Sequence, residues 1–266
     1  MAAPTRGSRL AMKNTCLNVY QAQLNGRRQL TGSAWYSSVL RSSDRDLKQV
    51  PTLFQENYFM SQPHSASPTS HHPHGDFSDW FAWRTTRFLR LLADTFFAGR
   101  YGHRAVVLET VAAVPGMVGG ALQHLRSLRS LEDDGGWIKT LLDEAENERM
   151  HLMTFIHIAQ PSRLERWMII LAQGIFYNLF FMLYVVSART AHRLVGYFEE
   201  EAVVSYTEYL AGIDRGDYDN VPAPQMAIDY WKLAADARLR DVILVIRDDE
   251  AGHRDVNHDF ANQLSR

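Results

Sequence analysis

The sequence repeats one short pattern, a glutamate three residues before a histidine, in two distant stretches. Glu148 and His151 lie in "NERMH", and Glu250 and His253 lie in "DEAGH". Positions i and i+3 share one face of an α-helix, so each pair projects a carboxylate and an imidazole in the same direction. One such pair is common on solvated helix faces, but two copies on separate predicted helices indicate a shared role.

Two further predicted helices carry carboxylates among apolar residues. Glu109 lies in "VVLETVAAV", and Glu199, Glu200 and Glu201 adjoin an apolar run in "FEEEAVVSY". An unpaired buried charge is very costly, and a metal ion would offset that cost. At least one of the three consecutive acids should face inward, and spacing alone leaves open which one.

One Glu from each of two helices, with one Glu-x-x-His from each of two others, is the ligand set of a di-iron or di-manganese centre in a four-helix bundle. Carboxylates are hard ligands that can bridge two ions, and the imidazoles supply terminal nitrogen ligands. Structural zinc instead favours four ligands with sulfur or several histidines. Asn147 and Asp249 each precede a histidine by four residues, so they either take part in hydrogen bonding around the imidazoles or are ordinary polar helix residues.

Helical periodicity dominates from residue 77 onward, with almost no alternating strand pattern. Six helices are predicted, at 77–101, 103–131, 133–160, 167–186, 189–214 and 226–263. Pro115 and Gly116 should bend the second helix, and Pro161 should end the third. The pattern predicts an all-α domain.

Two segments are candidates for membrane contact. Residues 80–97 combine arginines with Trp and Phe, which suits an interfacial helix or a core-packed helix with solvated arginines. Residues 167–186 are nearly all apolar and about long enough to cross a bilayer, and we find no second run of this kind. Gln173, Gly174 and Asn178 interrupt the run. A spanning helix, a helix sunk in one leaflet and a helix buried between subunits all stay open.

The first 75 residues do not fit a packed core. Residues 1–43 lack Asp and Glu but contain several arginines, which is typical of a mitochondrial transit peptide or an ordinary disordered tail. Residues 61–76 are rich in Pro, Ser and His and predict a linker, so a folded domain is expected at 76–266. The formal net charge of −2 argues against a nucleic-acid-binding protein. The single cysteine, Cys16, excludes an intramolecular disulfide.

Four stretches closely resemble the motifs of the alternative oxidases, in the order of that family. They are "LETVAAVPGMVGG", "NERMHL", "EEEAVVSY" and "RDDEAGHRDVNH". The resemblance covers about residues 77–262. It implies a four-helix bundle with a di-iron carboxylate site and two amphipathic helices that lie in the membrane, at 80–97 and 167–186. These helices would then not span it.

The same resemblance implies an activity and a location. Alternative oxidases are cyanide-insensitive enzymes that oxidise ubiquinol and reduce oxygen to water without pumping protons. They are usually homodimers on one membrane leaflet, on the matrix face of the mitochondrial inner membrane or the cytoplasmic face of a bacterial membrane. The expected partners are therefore ubiquinol, oxygen, membrane lipid and a second copy of the chain.

Individual residues are assigned by the resemblance as well. The implied ligands of two iron ions are Glu109, Glu148, His151, Glu199, Glu250 and His253. The implied quinol pocket includes Arg104, Leu108, Glu201, Ala202 and Ser205. The family's redox-active tyrosine matches Tyr206, which follows Glu199 by seven residues, two turns along the same face.

Two other functions fit a similar ligand set. A di-iron hydroxylase of quinone biosynthesis would use such a centre to oxygenate an organic ring. An iron-storage or iron-sensing bundle would use it without quinol chemistry. A storage bundle needs neither a membrane-lying helix nor an arginine such as Arg104 in a pocket, and this sequence has candidates for both. A terminal ubiquinol oxidase is therefore the leading hypothesis.

Overall fold

The computed structural model describes residues 70–97 and 101–265, which belong to one compact unit that begins at His64. Seven α-helices and no β-sheet lie within these ranges, so the predicted all-α class is confirmed. The helices are α1 (Phe77–Phe97), α2 (Tyr101–Ser130), α3 (Trp137–Ala159), α4 (Arg163–Val186), α5 (Ala188–Arg215), α6 (Gln225–Trp231) and α7 (Leu239–Gln263). Cys16 and most of the predicted tail and linker lie outside the described residues.

Helices α2, α3, α5 and α7 form a four-helix bundle. The most extensive packing joins α2 to α3 and α5 to α7, and α2–α5 and α3–α7 contacts close the bundle. Val106, Phe155, Leu210 and Ile243 bring one apolar residue from each helix into a shared core. Full burial of such a side chain contributes roughly 1.5–3 kcal/mol to folding. The four helices that carry the Glu and Glu-x-x-His residues thus surround one interior.

The last predicted helix is in fact two helices. α6 ends at Trp231, and Lys232 has a φ of 54°, in the left-handed region that a continuing helix cannot use. The chain then turns, and the Leu239 N–H donates to the Val221 carbonyl oxygen at 2.8 Å as α7 begins. The apolar spacing continues across this turn, so the sequence pattern did not reveal the break.

Pro115 does not interrupt α2, which runs as one helix over Tyr101–Ser130. The neighbouring Gly116 lies at a close approach between α2 and α3. A Cβ atom at this position would lie 2.3 Å from the Leu141 carbonyl oxygen. Only glycine fits there without moving the main chain of one helix.

Gly116→Ala is expected to destabilise the fold by roughly 1–3 kcal/mol, because the added methyl group must separate α2 from α3. Urea unfolding of the two forms measures the difference. Gly174→Ala is the matched control, since no neighbouring atom lies within 4 Å of its Cβ position. That variant should gain about 0.5–1 kcal/mol from helix propensity alone. Unchanged stability of Gly116→Ala would contradict the close contact.

Large apolar side chains are exposed along α1 and α4. They include Phe77, Trp80, Phe88, Leu91 and Leu92 on α1 and Leu164, Trp167, Ile170, Leu171, Leu179 and Val186 on α4. In α4 only 11% of the most apolar 18-residue window is buried. Both helices pack against the same two bundle helices, α2 and α5. This exposure and packing fit two helices that lie in a membrane surface.

By length and composition, α2 could also cross a membrane, so the expectation of a single apolar run was wrong. Its most apolar window is 56% buried, however, because this helix supplies one side of the bundle core. Gln173, which interrupts the apolar run of α4, donates from Nε2 to the Thr110 carbonyl oxygen at 3.0 Å. The polar interruption is thus a contact that joins α4 to α2.

A buried ion pair fixes α1 to the bundle. The Arg193 Nε atom donates to Asp79 Oδ1 at 2.8 Å, and its other nitrogens contact His258 Nδ1 (2.8 Å) and Asn262 Oδ1 (2.6 Å). Removing one partner of a buried ion pair typically costs about 3–5 kcal/mol. The position of α1 against α5 is therefore strongly specified.

Residues 70–75 lie against the same bundle. The His72 N–H donates to Glu200 Oε1 at 2.7 Å, and the His72 ring stacks on His258 with centroids 4.6 Å apart. The predicted division into a tail or linker at 1–75 and a folded domain at 76–266 stays a prediction.

Candidate metal centre

Four buried side chains from three helices converge inside the bundle. Glu109 of α2, Glu148 and His151 of α3, and Glu250 of α7 offer ligand atoms that all lie within 4.8 Å of one another. His151 Nδ1 is 3.4 Å from a carboxylate oxygen of Glu109, 3.4 Å from one of Glu148 and 3.3 Å from one of Glu250. The two Glu-x-x-His motifs therefore meet at one place.

His253 lies on the other side of the same carboxylates. Its Nδ1 atom is 2.7 Å from Glu148 Oε1 and 3.7 Å from Glu250 Oε2. Glu148 and Glu250 therefore each lie between the two imidazoles, His151 and His253. Carboxylates that bridge two metal ions need this arrangement.

Glu199 is the acid of the "EEE" run that faces inward. It is buried, and burial together with the neighbouring Glu250 raises the pKa of Glu199 well above its usual value. Glu200 instead contacts His258 at 3.0 Å, and Glu201 contacts Arg90 at 2.6 Å. The structure thus shows that Glu199, rather than Glu200 or Glu201, faces the interior of the bundle.

The donor set fits a pair of metal ions. Glu109 Oε2, Glu148 Oε2, Glu250 Oε2 and His151 Nδ1 are buried and have no hydrogen-bond partner among the described residues. Leaving a buried polar group without a partner destabilises the fold by roughly 1–3 kcal/mol, and by more when the group is charged. Cations would satisfy these atoms, and a set of four carboxylates with two imidazoles suits iron or manganese better than zinc.

Protons and metal ions compete for this cluster. Burial and the charge of Glu148 raise the pKa of Glu109 well above its usual value. Burial opposes the charged form of His151, but the Glu148 charge together with the contacts to Asp249 and Glu109 outweighs it, so the pKa of His151 is also raised. The pKa of His253 is raised as well, because its contacts with Glu148 and Glu250 outweigh the effect of burial. Ligands bind metal in their deprotonated forms, so metal uptake here must release protons.

Asp249 holds the outer side of the His151 ring. Its Oδ2 atom is 3.3 Å from His151 Nε2 and accepts from Asn147 Nδ2 (3.0 Å) and Trp231 Nε1 (2.8 Å). Asn147 and Asp249 were expected to take part in hydrogen bonding around the two imidazoles, and Asp249 contacts the ring of His151. Asp249 serves the facing helix rather than His253, because the outer ring nitrogen of His151 points across the bundle. Asn147 is connected to His151 through its hydrogen bond to Asp249.

Tyr206 lies against the cluster as its position suggested. Its hydroxyl donates to Glu109 Oε1, and its ring stacks on Phe155 with centroids 5.8 Å apart. Burial and the Glu109 carboxylate raise the pKa of Tyr206 well above its usual value, so the phenol keeps its proton. The contact is with Glu109 of α2, although the sequence argument started from Glu199 on its own helix.

Two of the expected quinol-pocket residues, Arg104 and Glu201, are joined by charged residues of α1. Arg104 pairs with Asp94, Asp94 pairs with Arg90 at 3.1 Å, and Arg90 pairs with Glu201 at 2.6 Å. Among the others, Ser205 is buried, Ala202 packs on the core, and Leu108 is 37% exposed. Sequence reasoning missed Asp94 and treated Arg90 as a solvated or interfacial charge, since the i,i+4 spacing of this pair does not reveal partners on α2 and α5.

Glu144 was also missed. It lies one turn before Glu148 on α3 and is 1% exposed, and burial raises the pKa of Glu144 to about 7. Its spacing of four from Glu148, which places both on one helix face, was the available signal.

Comparison with known proteins gives a consistent result. A family model described as alternative oxidase matches residues 60–262, which include α2, α3 and α5 and all but the last residue of α7. A mitochondrial ubiquinol oxidase of Mangifera indica is 62% identical over 194 residues, covering 73% of this chain and 61% of that protein. Mitochondrial ubiquinol oxidase 2 of Glycine max is 59% identical over 196 residues, covering 74% and 59%.

A mitochondrial ubiquinol oxidase of the chytrid Batrachochytrium dendrobatidis is 58% identical over 187 residues, covering 70% of this chain and 59% of that protein. The chain thus spans 59–61% of the length of these relatives. The family model covers well over half of the chain, and it includes every residue of the buried Glu and His cluster. The chain belongs to the alternative oxidase family.

Proposed function

We propose that the protein is a terminal ubiquinol oxidase, which passes electrons from ubiquinol to oxygen at a two-iron centre. The proposed ligands are Glu109, Glu148, His151, Glu199, Glu250 and His253. The observation that carries the proposal is the convergence of both Glu-x-x-His motifs with further buried carboxylates in a member of this family. The relatives named above are ubiquinol oxidases, which supports the substrate.

The reaction balances with ubiquinol as the source of both electrons and protons. Two ubiquinols release four electrons and four protons, and these convert one O₂ into two water molecules. The iron pair, when bound, supplies the redox chemistry. The protein holds protons close by, since the Tyr206 hydroxyl donates to Glu109 Oε1 within the buried cluster. No net proton is needed from either side of the membrane, in keeping with an oxidase that does not pump protons.

The quinol head group is placed beside Arg104, Leu108, Glu201, Ala202 and Ser205. Its support is the ion-pair network in which Arg90 and Asp94 of α1 join Arg104 to Glu201. A helix with an exposed apolar surface thus contributes directly to the proposed pocket. Leu108 is partly exposed and directly precedes Glu109, so a head group beside it would lie close to the metal centre.

The protein is placed on one leaflet, with α1 and α4 as its membrane-binding helices. Their exposed apolar side chains and their shared packing on α2 and α5 support this. Mitochondrial names among the relatives favour a mitochondrial over a bacterial location, and the matrix face of the inner membrane is part of this proposal. A homodimer is also proposed, because Met117, Leu128 and Leu142 give α2 and α3 a second exposed apolar surface.

Oxygen uptake with a short-chain ubiquinol, measured with and without cyanide, tests the function. Cyanide-resistant uptake that yields unmodified ubiquinone and water is the expected result. Recovery of a hydroxylated ring would instead identify the quinone-biosynthesis hydroxylase. Iron binding without quinol-dependent oxygen uptake would identify a storage or sensing bundle.

Replacing Trp167, Leu171 and Leu179 of α4 together by Glu should reduce binding to phosphatidylcholine vesicles more than tenfold. Each apolar side chain contributes roughly 1.5–3 kcal/mol when it leaves water, and all three are exposed in the protein. Vesicle co-sedimentation measures the change. Lys139→Glu combined with Arg215→Glu is the control, because it adds negative charge at exposed sites outside α4. Undiminished binding of the α4 variant would contradict this membrane surface.

Topology gives an independent check of the same proposal. If α1 and α4 lie in one leaflet, tags at both chain ends should react with an impermeant label from the same face of a sealed vesicle. Tags that react from opposite faces would instead show that a helix crosses the bilayer, with α4 the less buried of the two candidates, and would contradict the proposal.

A further inference from the structure

We infer that Glu144 is a positioning carboxylate for His253, held by a buried hydrogen-bond chain through Asn257, His192 and Tyr184. The inference rests on the proposed metal centre, in which His253 is a ligand. It adds a residue that is not one of the six ligands and that completes the surroundings of the second Glu-x-x-His motif.

Asn257 is the centre of the chain. Its Nδ2 atom lies 3.1 and 3.0 Å from the two oxygens of Glu144 and 3.0 Å from the main-chain oxygen of His253. On the other side, His192 Nδ1 lies 2.9 Å from Asn257 Oδ1, and the Tyr184 hydroxyl lies 3.0 Å from His192 Nε2. One hydrogen-bond chain thus joins α3, α7, α5 and α4, and its central residue, Asn257, also donates to the main-chain oxygen of His253.

The donor directions follow from the groups themselves. A carboxylate only accepts, so the Asn257 amide nitrogen donates to Glu144 and the amide oxygen accepts from His192 Nδ1. His192 Nε2 then accepts from the Tyr184 hydroxyl. Burial lowers the pKa of His192 to about 4, so the ring is neutral and a single tautomer satisfies both contacts. The chain therefore has one consistent arrangement.

Burial makes this arrangement stiff. Exposure of the four side chains ranges from 1% at Glu144 and Asn257 to 7% at Tyr184, so water cannot readily replace a lost contact. Leaving such a group unpaired would cost roughly 1–3 kcal/mol. Both Glu144 oxygens are engaged by Asn257, which separates this carboxylate from those that are available to metal.

The two motifs are served reciprocally. Asp249 of α7 contacts the His151 ring of α3. Glu144 of α3 is linked to His253 of α7 through Asn257, whose amide nitrogen donates both to Glu144 and to the main-chain oxygen of His253. Each histidine is thus joined to a carboxylate from the facing helix, directly at the ring for His151 and through Asn257 at the main chain for His253. A hydrogen-bonded carboxylate behind a ligand histidine fixes the position of that histidine.

The test compares iron binding in wild type and Glu144→Gln. This variant keeps the size of the side chain and an acceptor for Asn257 but removes the negative charge. Fe(II) is titrated anaerobically into the metal-free full-length protein, and near-infrared magnetic circular dichroism reports the coordination. Affinity for one of the two irons is expected to fall about 10- to 100-fold, with a changed band pattern. The melting temperature of the metal-free variant should not fall, because a buried charge has been removed.

Four further results make the test decisive. Wild-type affinity and spectrum in Glu144→Gln would overturn the inference, as would a lower melting temperature with unchanged affinity. If that variant does not fold, Glu144→Asp replaces it, since it keeps the charge on a shorter side chain and should show an intermediate loss. Unchanged affinity in Glu144→Asp would then overturn the inference. Failure of the wild type to bind two irons would instead overturn the proposed centre itself.

Discussion

Glu148→Ala is expected to hold fewer than two irons per chain and to lose more than about a hundredfold in oxidase activity. Partners of ligands alone affect metal affinity by roughly 10- to 100-fold, and a bridging ligand should matter more. Glu148 lies 3.4 Å from His151 and 2.7 Å from His253, between the two halves of the site. Iron analysis of the purified protein and oxygen uptake with a short-chain ubiquinol measure the two effects.

Glu146→Ala is the matched control for this substitution. Glu146 is two residues away on the same helix, but it is exposed and pairs with Arg149 at 2.7 Å. Its removal should leave iron content and turnover at wild-type levels. If Glu148→Ala retained two irons per chain, the assignment of Glu148 as a bridging ligand would be wrong.

The metal cluster was largely predictable from sequence because its signals are local. Spacing of three places Glu148 with His151 and Glu250 with His253 on common helix faces, whatever the rest of the fold does. Glu109 was visible because a carboxylate within an apolar run demands a partner. Local spacing could not show that Glu199, among the three consecutive acids, faces the cluster. That choice depends on Glu200 and Glu201 finding cations and imidazoles on other elements, and only the family resemblance anticipated it.

Contacts between helices set the limit of the sequence argument. Asp249 contacts the ring of His151, and Glu144 is linked through Asn257 to the main chain of His253, because side chains on α3 and α7 meet across the bundle. A residue's own helix cannot reveal which partner faces it. The break at Lys232 was missed for a related reason, since one residue with positive φ leaves the apolar spacing on both sides unchanged.

The charges of α1 show the same limit at the proposed quinol pocket. Arg90 and Asp94 look like an ordinary i,i+4 surface pair. In the structure they connect Arg104 of α2 with Glu201 of α5, so they form part of the surroundings of the proposed substrate site. Charged residues on an amphipathic helix can therefore belong to a functional network whenever that helix packs beside a site.

Tyr206→Phe is expected to keep two irons per chain and to lose roughly 10²–10⁴-fold in quinol-oxidase turnover, the range for loss of a positioned proton-transfer group. Phenylalanine preserves the stacking on Phe155 and removes only the hydroxyl that donates to Glu109. A phenol can give up an electron and a proton together, and this one is held protonated against a proposed iron ligand. Iron analysis and oxygen uptake on the same preparation separate loss of metal from loss of turnover.

Tyr209→Phe is the control, because Tyr209 is also a buried tyrosine of α5 whose pKa burial raises, to about 12. It stacks on Tyr101 with centroids 5.4 Å apart and belongs to the apolar core. Its hydroxyl should be dispensable for turnover, so the two variants isolate the contact with Glu109 from the general loss of a buried phenol. Near-normal turnover in iron-replete Tyr206→Phe would reduce Tyr206 to a packing residue, since the ring alone would then account for its place beside the cluster.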